Sequence, residues 1–156
     1  FTGDTVFQGG TGKFFEGTPE QMGSNLVRVS KLPADTKIFC GHEYTVNNYK
    51  YALAVEPDNS AVRERVDWAI EQRRQGKPTC PSTVGDEVSL NPYMRVMTSK
   101  TSCGKLGICL HGLTGDERLK DGKAEPNFVL GELRRVRDDN VVKAKMDAYT
   151  PAASRA

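Results

Sequence analysis

The sequence is poor in the features that would settle a function at once. Its 156 residues include two histidines, one tryptophan and four cysteines. Cys40, Cys80, Cys103 and Cys109 show no C-x-x-C pair, which argues for free thiols in a reducing, intracellular setting. Cys103, Cys109 and His111 lie close in sequence but lack a fourth ligand at zinc-site spacing. No apolar run approaches the roughly 20 residues of a membrane span, and no signal-peptide pattern opens the chain. Charge of one sign is also missing: 22 basic residues are interleaved with 20 acidic ones for a net +2, which gives no general nucleic-acid footprint. Gly9, Gly10 and Gly12 are not closed by Gly-Lys-Ser/Thr, so they do not form a phosphate-binding loop. The chain opens on Phe1 with no initiator Met and reads as a piece of a longer protein.

Two short segments carry the chemistry. Lys37 to Cys40 reads as a strand ending at Gly41-His42, and an amphipathic helix starts at Thr45. His42 therefore sits at a strand mouth, where α/β folds keep ligands and catalytic groups. Phe1-Thr2-Gly3-Asp4-Thr5 is a second strand end running into a tight turn, with Gly3 giving the backbone its freedom. If the two strands share a sheet, Asp4 and His42 converge at one edge.

Between and beyond them the chain reads as helices. Thr18-Pro19-Glu20-Gln21 is a capping box with Pro at the first helical position, and Met22, Leu26, Val29 and Leu32 follow on one face. Asn59 or Ser60 caps a helix bearing Val62, Val66, Ala69 and Ile70, with Gly76 as its stop. Thr83 caps a short helix to about Leu90, broken at Asn91-Pro92. Residues 98–123, rich in Gly, Lys, Ser and Thr, read as an irregular loop. A last helix follows Pro126, carries Val129, Leu130, Leu133 and Val136, and is expected to extend to Met146; residues 151–156 read as a frayed end. The basic cluster Arg134-Arg135-Val136-Arg137 suits a small anionic ligand or a solvated helix face.

In order along the chain, Phe1-Thr2-Gly3-Asp4-Thr5-Val6-Phe7, Gly12-Lys13-Phe14-Phe15-Glu16-Gly17-Thr18, Cys40-Gly41-His42-Glu43-Tyr44-Thr45, Val55-Glu56-Pro57, Gly76-Lys77-Pro78-Thr79 and Asn91-Pro92-Tyr93-Met94-Arg95-Val96 resemble glyoxalase II, the hydroxyacylglutathione hydrolases of the metallo-β-lactamase superfamily. The likeness is nearly continuous to residue 97, then thins to Pro126, Val129, Leu130, Leu133, Arg134, Arg137 and Asp138. It implies an α/β (α+β) arrangement. Residues 1–44 would form the C-terminal edge of a metallo-β-lactamase αββα sandwich, and 45–156 an all-α glutathione-binding domain interrupted by the loop 98–123.

The resemblance also implies a dinuclear site of divalent ions, zinc first and iron or manganese as alternatives, that hydrolyses S-D-lactoylglutathione to D-lactate and glutathione. Asp4 matches the carboxylate that bridges both ions and His42 a ligand of one. Carboxylate oxygens can span a metal pair, and a neutral imidazole nitrogen holds zinc without adding charge. Lys13, Phe15, Tyr44, Arg134 and Arg137 match the positions that contact the glutathione moiety. Phe15 stands where some members have Tyr and lacks the hydroxyl; Arg137 replaces Lys and keeps the charge. The family's T-H-x-H-x-D-H motif has no counterpart here, so the 156 residues alone are expected to be inactive. The full-length protein is expected to be a monomer in the cytoplasm or mitochondrial matrix, acting on a small glutathione thioester and not on nucleic acid or membrane. A glutathione-persulfide dioxygenase of the same superfamily and an inactive glutathione-binding fragment are the alternatives.

Overall fold

The computed structural model describes residues 1–151, and helices dominate it. Along the chain run α1 (Pro19–Ser30), β1 (Lys37–Ile38), α2 (Thr45–Val55), α3 (Ser60–Arg74), β2 (Ser82–Thr83), α4 (Val84–Leu90), α5 (Pro92–Thr98), α6 (Lys100–Thr114), a 3₁₀ turn (Glu117–Leu119), α7 (Pro126–Val136) and α8 (Asn140–Asp147). The one sheet among the described residues pairs β1 with β2 antiparallel, Lys37 opposite Thr83 and Ile38 opposite Ser82. The described residues therefore form a mainly helical body. Where a sandwich edge is expected, residues 1–44 show β1 and a parallel bridge between Gly3 and Cys40, and no sandwich is seen among the described residues.

Local chemistry explains most helix starts. Thr18 and Gln21 form the reciprocal box that opens α1, and Thr83 with Asp86 does the same for α4. Asn59 caps α3 through the Val62 N–H, and Asn91 both ends α4 and caps α5 through Tyr93.

Two expectations are corrected. Residues 98–123 are not an irregular loop, because α6 fills most of the span. Ser99 caps α6 at the Ser102 N–H, Gly115 ends it at φ +70°, and Cys103, Leu106 and Leu110 supply a buried stripe. The glycines that disguised the helix are packing devices: a Cβ on Gly104 would stand 2.9 Å from the Gly122 carbonyl oxygen, so a small residue lets the following segment lie against the helix. Second, the last helix does not run through to Met146. It breaks after Val136, and Asp139 recaps the chain as α8 by accepting from the Val141 N–H. Leu26 is fully buried and α1 packs against α5 and α7, leaving Leu32, beyond its end, as the exposed residue. The frayed end expected past Pro151 lies outside the described residues.

The main core joins Leu26, Tyr51, Tyr93, Met94, Leu106, Leu110, Leu130 and Leu133, and a second cluster pairs α2 with α3 through Tyr49, Leu53, Val62 and Val66. Buried hydroxyls in the main core converge on one atom: Tyr51 and Tyr93 both donate to the Leu133 carbonyl oxygen. That carbonyl belongs to the last turn of α7, so the tyrosines fix the point from which Arg134 and Arg137 project.

Candidate functional site

Asp4 and His42 meet. The Thr2 N–H donates to the Phe39 carbonyl at 3.0 Å and the Gly41 N–H to the Gly3 carbonyl at 2.9 Å, so the two strand ends run side by side. Both side chains emerge from the same edge, with Asp4 Oδ1 and His42 Nε2 3.6 Å apart and each more than half exposed. Glycines make the approach feasible: a Cβ on Gly41 would lie 2.6 Å from Asp4 Oδ1, and one on Gly12 would collide with the Asp4 carbonyl oxygen. The Gly12 N–H donates to that same carbonyl at 2.8 Å, bringing Lys13 next to the Asp4 turn.

The imidazole is framed by aromatic rings. Tyr44 stacks on His42 with centroids 5.1 Å apart and planes 20° apart, and Phe7 packs against Tyr44 at 5.4 Å. Tyr44 thus fixes the plane of the His42 ring. Glu43, between them, turns the other way: its carboxylate accepts from the Thr79 hydroxyl and, at 3.1 Å, from the Thr79 N–H, tying the strand end to the connector that precedes β2. Cys40 and Cys80 flank this tie. Burial first, and then the neighbouring Cys80 thiol, push the Cys40 thiol above its ordinary value.

The cations gather in two pairings. Lys13 Nζ and Arg134 Nη1 approach the same oxygen of Asp138, at 3.9 and 3.7 Å, and the Lys13 ammonium lies 5.9 Å from the Phe15 ring centroid. Phe15 is 83% exposed, and with Lys13 it lines an open cleft of about 670 Å³ alongside Thr18 and Gln21. Arg137 reaches back across the fold: its Nη2 donates to Asn48 Oδ1 at 2.9 Å and its guanidinium carbon sits 5.3 Å from the centre of the Tyr51 ring.

Residues that the sequence reading passed over hold this strip in place. The backbone reverses between Phe7 and Gly10, with Gly9 at φ +66°. Asn91 Nδ2 donates to the carbonyls of both Phe7 and Gly10, Glu87 Oε2 accepts from the Gly9 N–H at 2.9 Å, and Asn48 Nδ2 donates to the Gln8 carbonyl at 3.0 Å. All three side chains are buried, so their hydrogen bonds face little competition from water. Asn48 therefore links Arg137 to the turn that follows Asp4. Burial pushes the Glu87 carboxyl up to about 7, against the lowering influence of its bonds to Gly9 and Asn91. Asn91 had a visible signal, as a helix breaker before Pro92; Glu87 and Asn48 had none, because their partners lie 78 and 40 residues away.

As a metal site the arrangement is partial. One oxygen and one nitrogen donor point to a common place, which fits the type of ligand a divalent ion takes. Among the described residues, however, no group of three or more His, Cys, Asp or Glu side chains is placed to hold an ion.

Comparison with known proteins bears on the helical body. Residues 43–140 match the model of the hydroxyacylglutathione hydrolase C-terminus. The chain belongs to this family. A hydroxyacylglutathione hydrolase of Pseudomonas aeruginosa is 43% identical over 138 residues, 88% of this chain and 50% of that protein. The cytoplasmic hydroxyacylglutathione hydrolase of Arabidopsis thaliana is 53% identical over 97 residues, 62% of this chain and 38% of its own length. That of Shewanella baltica is 52% identical over 95 residues. The chain thus spans half or less of the length of these relatives.

Proposed function

We propose that this chain supplies two metal-ligand positions and most of the glutathione grip of a metal-dependent thioester hydrolase that converts S-D-lactoylglutathione to D-lactate and glutathione. The observation that carries the reading is the convergence of Asp4 and His42, 3.6 Å apart, at an edge that also bears Lys13. Residues 1–44 would complete one edge of a metallo-β-lactamase sandwich, and the helical body would form the substrate domain. Asp4 would bridge a pair of divalent ions, zinc first among them, and His42 would ligate one. Ions so bound would supply Lewis acidity toward the thioester carbonyl and activate the attacking water.

The chain's own residues do the rest. Stacking on Tyr44 holds the His42 ring so that Nε2 faces Asp4. Lys13, Arg134 and Arg137 offer cations to a tripeptide with two carboxylates, where an arginine fork can grip one of them bidentately. Asp138 now shares Lys13 and Arg134 at long range, and a ligand carboxylate would compete for the same charges. Phe15 offers an exposed ring face beside Lys13 in place of a hydroxyl. Two donors do not make a dinuclear centre, so the 156 residues alone are expected to be inactive. The name of the Arabidopsis relative favours a cytoplasmic setting, and no helix among the described residues is long and apolar enough to cross a membrane.

The test is turnover of S-D-lactoylglutathione by a protein of the relatives' length containing this chain, with zinc restored. Thioester hydrolysis supports the reading. No turnover with metal demonstrably bound removes it, and oxygen uptake with glutathione persulfide would reassign the site to a dioxygenase.

A further inference from the structure

Two of the four cysteines face each other. Cys40 lies two residues beyond Ile38 and Cys80 two residues before Ser82, the residues that pair β1 with β2; Cys80 Sγ sits against the Ile38 carbonyl oxygen, and the Cys40 and Cys80 side chains interact directly. Neither sulfur is committed to a strong partner: Cys40 Sγ lies 3.4 Å from the His42 carbonyl oxygen and Cys80 Sγ 3.6 Å from that of Ile38. Both thiols are free and only half-buried, so a small reagent can reach them. Cys103 and Cys109 offer no such pair, since they lie six residues apart along α6, with Cys103 buried and turned to the Ala124 carbonyl.

We propose that Cys40 and Cys80 are a dithiol modification site that closes reversibly to an intramolecular disulfide by exchange with a small disulfide such as oxidised glutathione. Written with Cys80 attacking first, its thiolate displaces one glutathione thiolate and leaves a mixed disulfide. Cys40 then attacks the protein sulfur of that bond and expels the second glutathione thiolate. Two protein thiols lose two electrons, the small disulfide gains them, and the two protons pass through water to the leaving thiolates. Excess reduced glutathione runs the exchange backwards. Closure draws Cys40 Sγ off the His42 carbonyl and clamps the connector before β2 to the strand end that bears His42. The bond itself is independent of the reading under Proposed function; only its consequence at His42 rests on that reading.

The experiment equilibrates the protein with mixtures of reduced and oxidised glutathione, blocks remaining thiols by alkylation, and maps the linkages by peptide mass spectrometry. The expected product is a peptide pair joined through Cys40 and Cys80, absent from C40S and from C80S, present in a C103S/C109S double variant, and reversed by excess thiol. All four thiols remaining free, glutathione adducts without the internal link, or links made through Cys103 or Cys109 would each overturn the proposal. Because the readout is a covalent link and not turnover, it separates this inference from the assignment of the hydrolase.

Discussion

Residues 1–44 and the helical body from Thr45 onward solve opposite problems. The first region carries Asp4 and His42 at its exposed edge, with one helix, a two-residue strand and two isolated bridges. The second buries its polar groups deep in the fold and aims several of them outward at the first. Asp4 and His42 are accessible because little packs over them; they are placed because Asn48, Glu87 and Asn91 hold the neighbouring turn from behind. Exposure and rigidity are thus divided between two parts of one chain, and substitutions in the two parts should have contrasting effects.

The largest loss of stability should come from the body. Asn91→Ala removes three side-chain donations and the cap of α5 from a fully buried position. The expected cost is about 3 to 4 kcal/mol, since buried carbonyls of Phe7 and Gly10 lose a partner. Urea denaturation measures it, and a cost under about 1 kcal/mol would show that the turn is held by something else.

Glu87 gives the contrast a pH signature. Its folded value of about 7 lies above the ordinary carboxyl value of 4.5. In the window between them the folded state keeps a proton that the unfolded chain has released, so stability should fall as pH rises from about 4.5 to about 7 and level off above. The drop attributable to this group is on the order of 3 kcal/mol. Glu87→Gln should flatten the profile across that window, and an unchanged slope would mean that Glu87 is not the titrating group.

Tyr51→Phe sharpens the link between body and cations. Loss of its hydrogen bond to the Leu133 carbonyl should cost roughly 1 kcal/mol and, because Arg137 packs on the same ring, leave the ring contact intact. At the other extreme, Asp4→Ala and His42→Ala should each alter stability by less than about 0.5 kcal/mol, because both side chains are largely solvated. A stability loss there comparable to that of Asn91→Ala would erase the contrast between the two regions.

What could be read from the sequence follows the same division by range. The caps at Thr18, Asn59 and Thr83 were legible because an N-cap and its partner lie three residues apart. The proximity of Asp4 and His42 was legible as a conditional, dependent on the strands sharing a sheet, and the bridge between Gly3 and Cys40 meets that condition. The helix α6 was not, because Gly104, Gly107 and Gly112 lower helix propensity, and only the fold reveals that Gly104 admits the backbone at Gly122. The break after Val136 was missed for a related reason. Its causes are the tyrosines on the Leu133 carbonyl and a new cap at Asp139, of which only the cap is local. Nothing near Asn48 or Glu87 announces that their partners lie at the far end of the chain.

The most direct test of the central claim is the metal content of the full-length protein, measured by plasma mass spectrometry after zinc loading and desalting, with and without Asp4→Asn. The account expects a stoichiometric metal complement in the parent and a clear loss of metal in the variant, with its denaturation curve unchanged. An Asp4→Asn protein that keeps the full complement and still hydrolyses the thioester would contradict it.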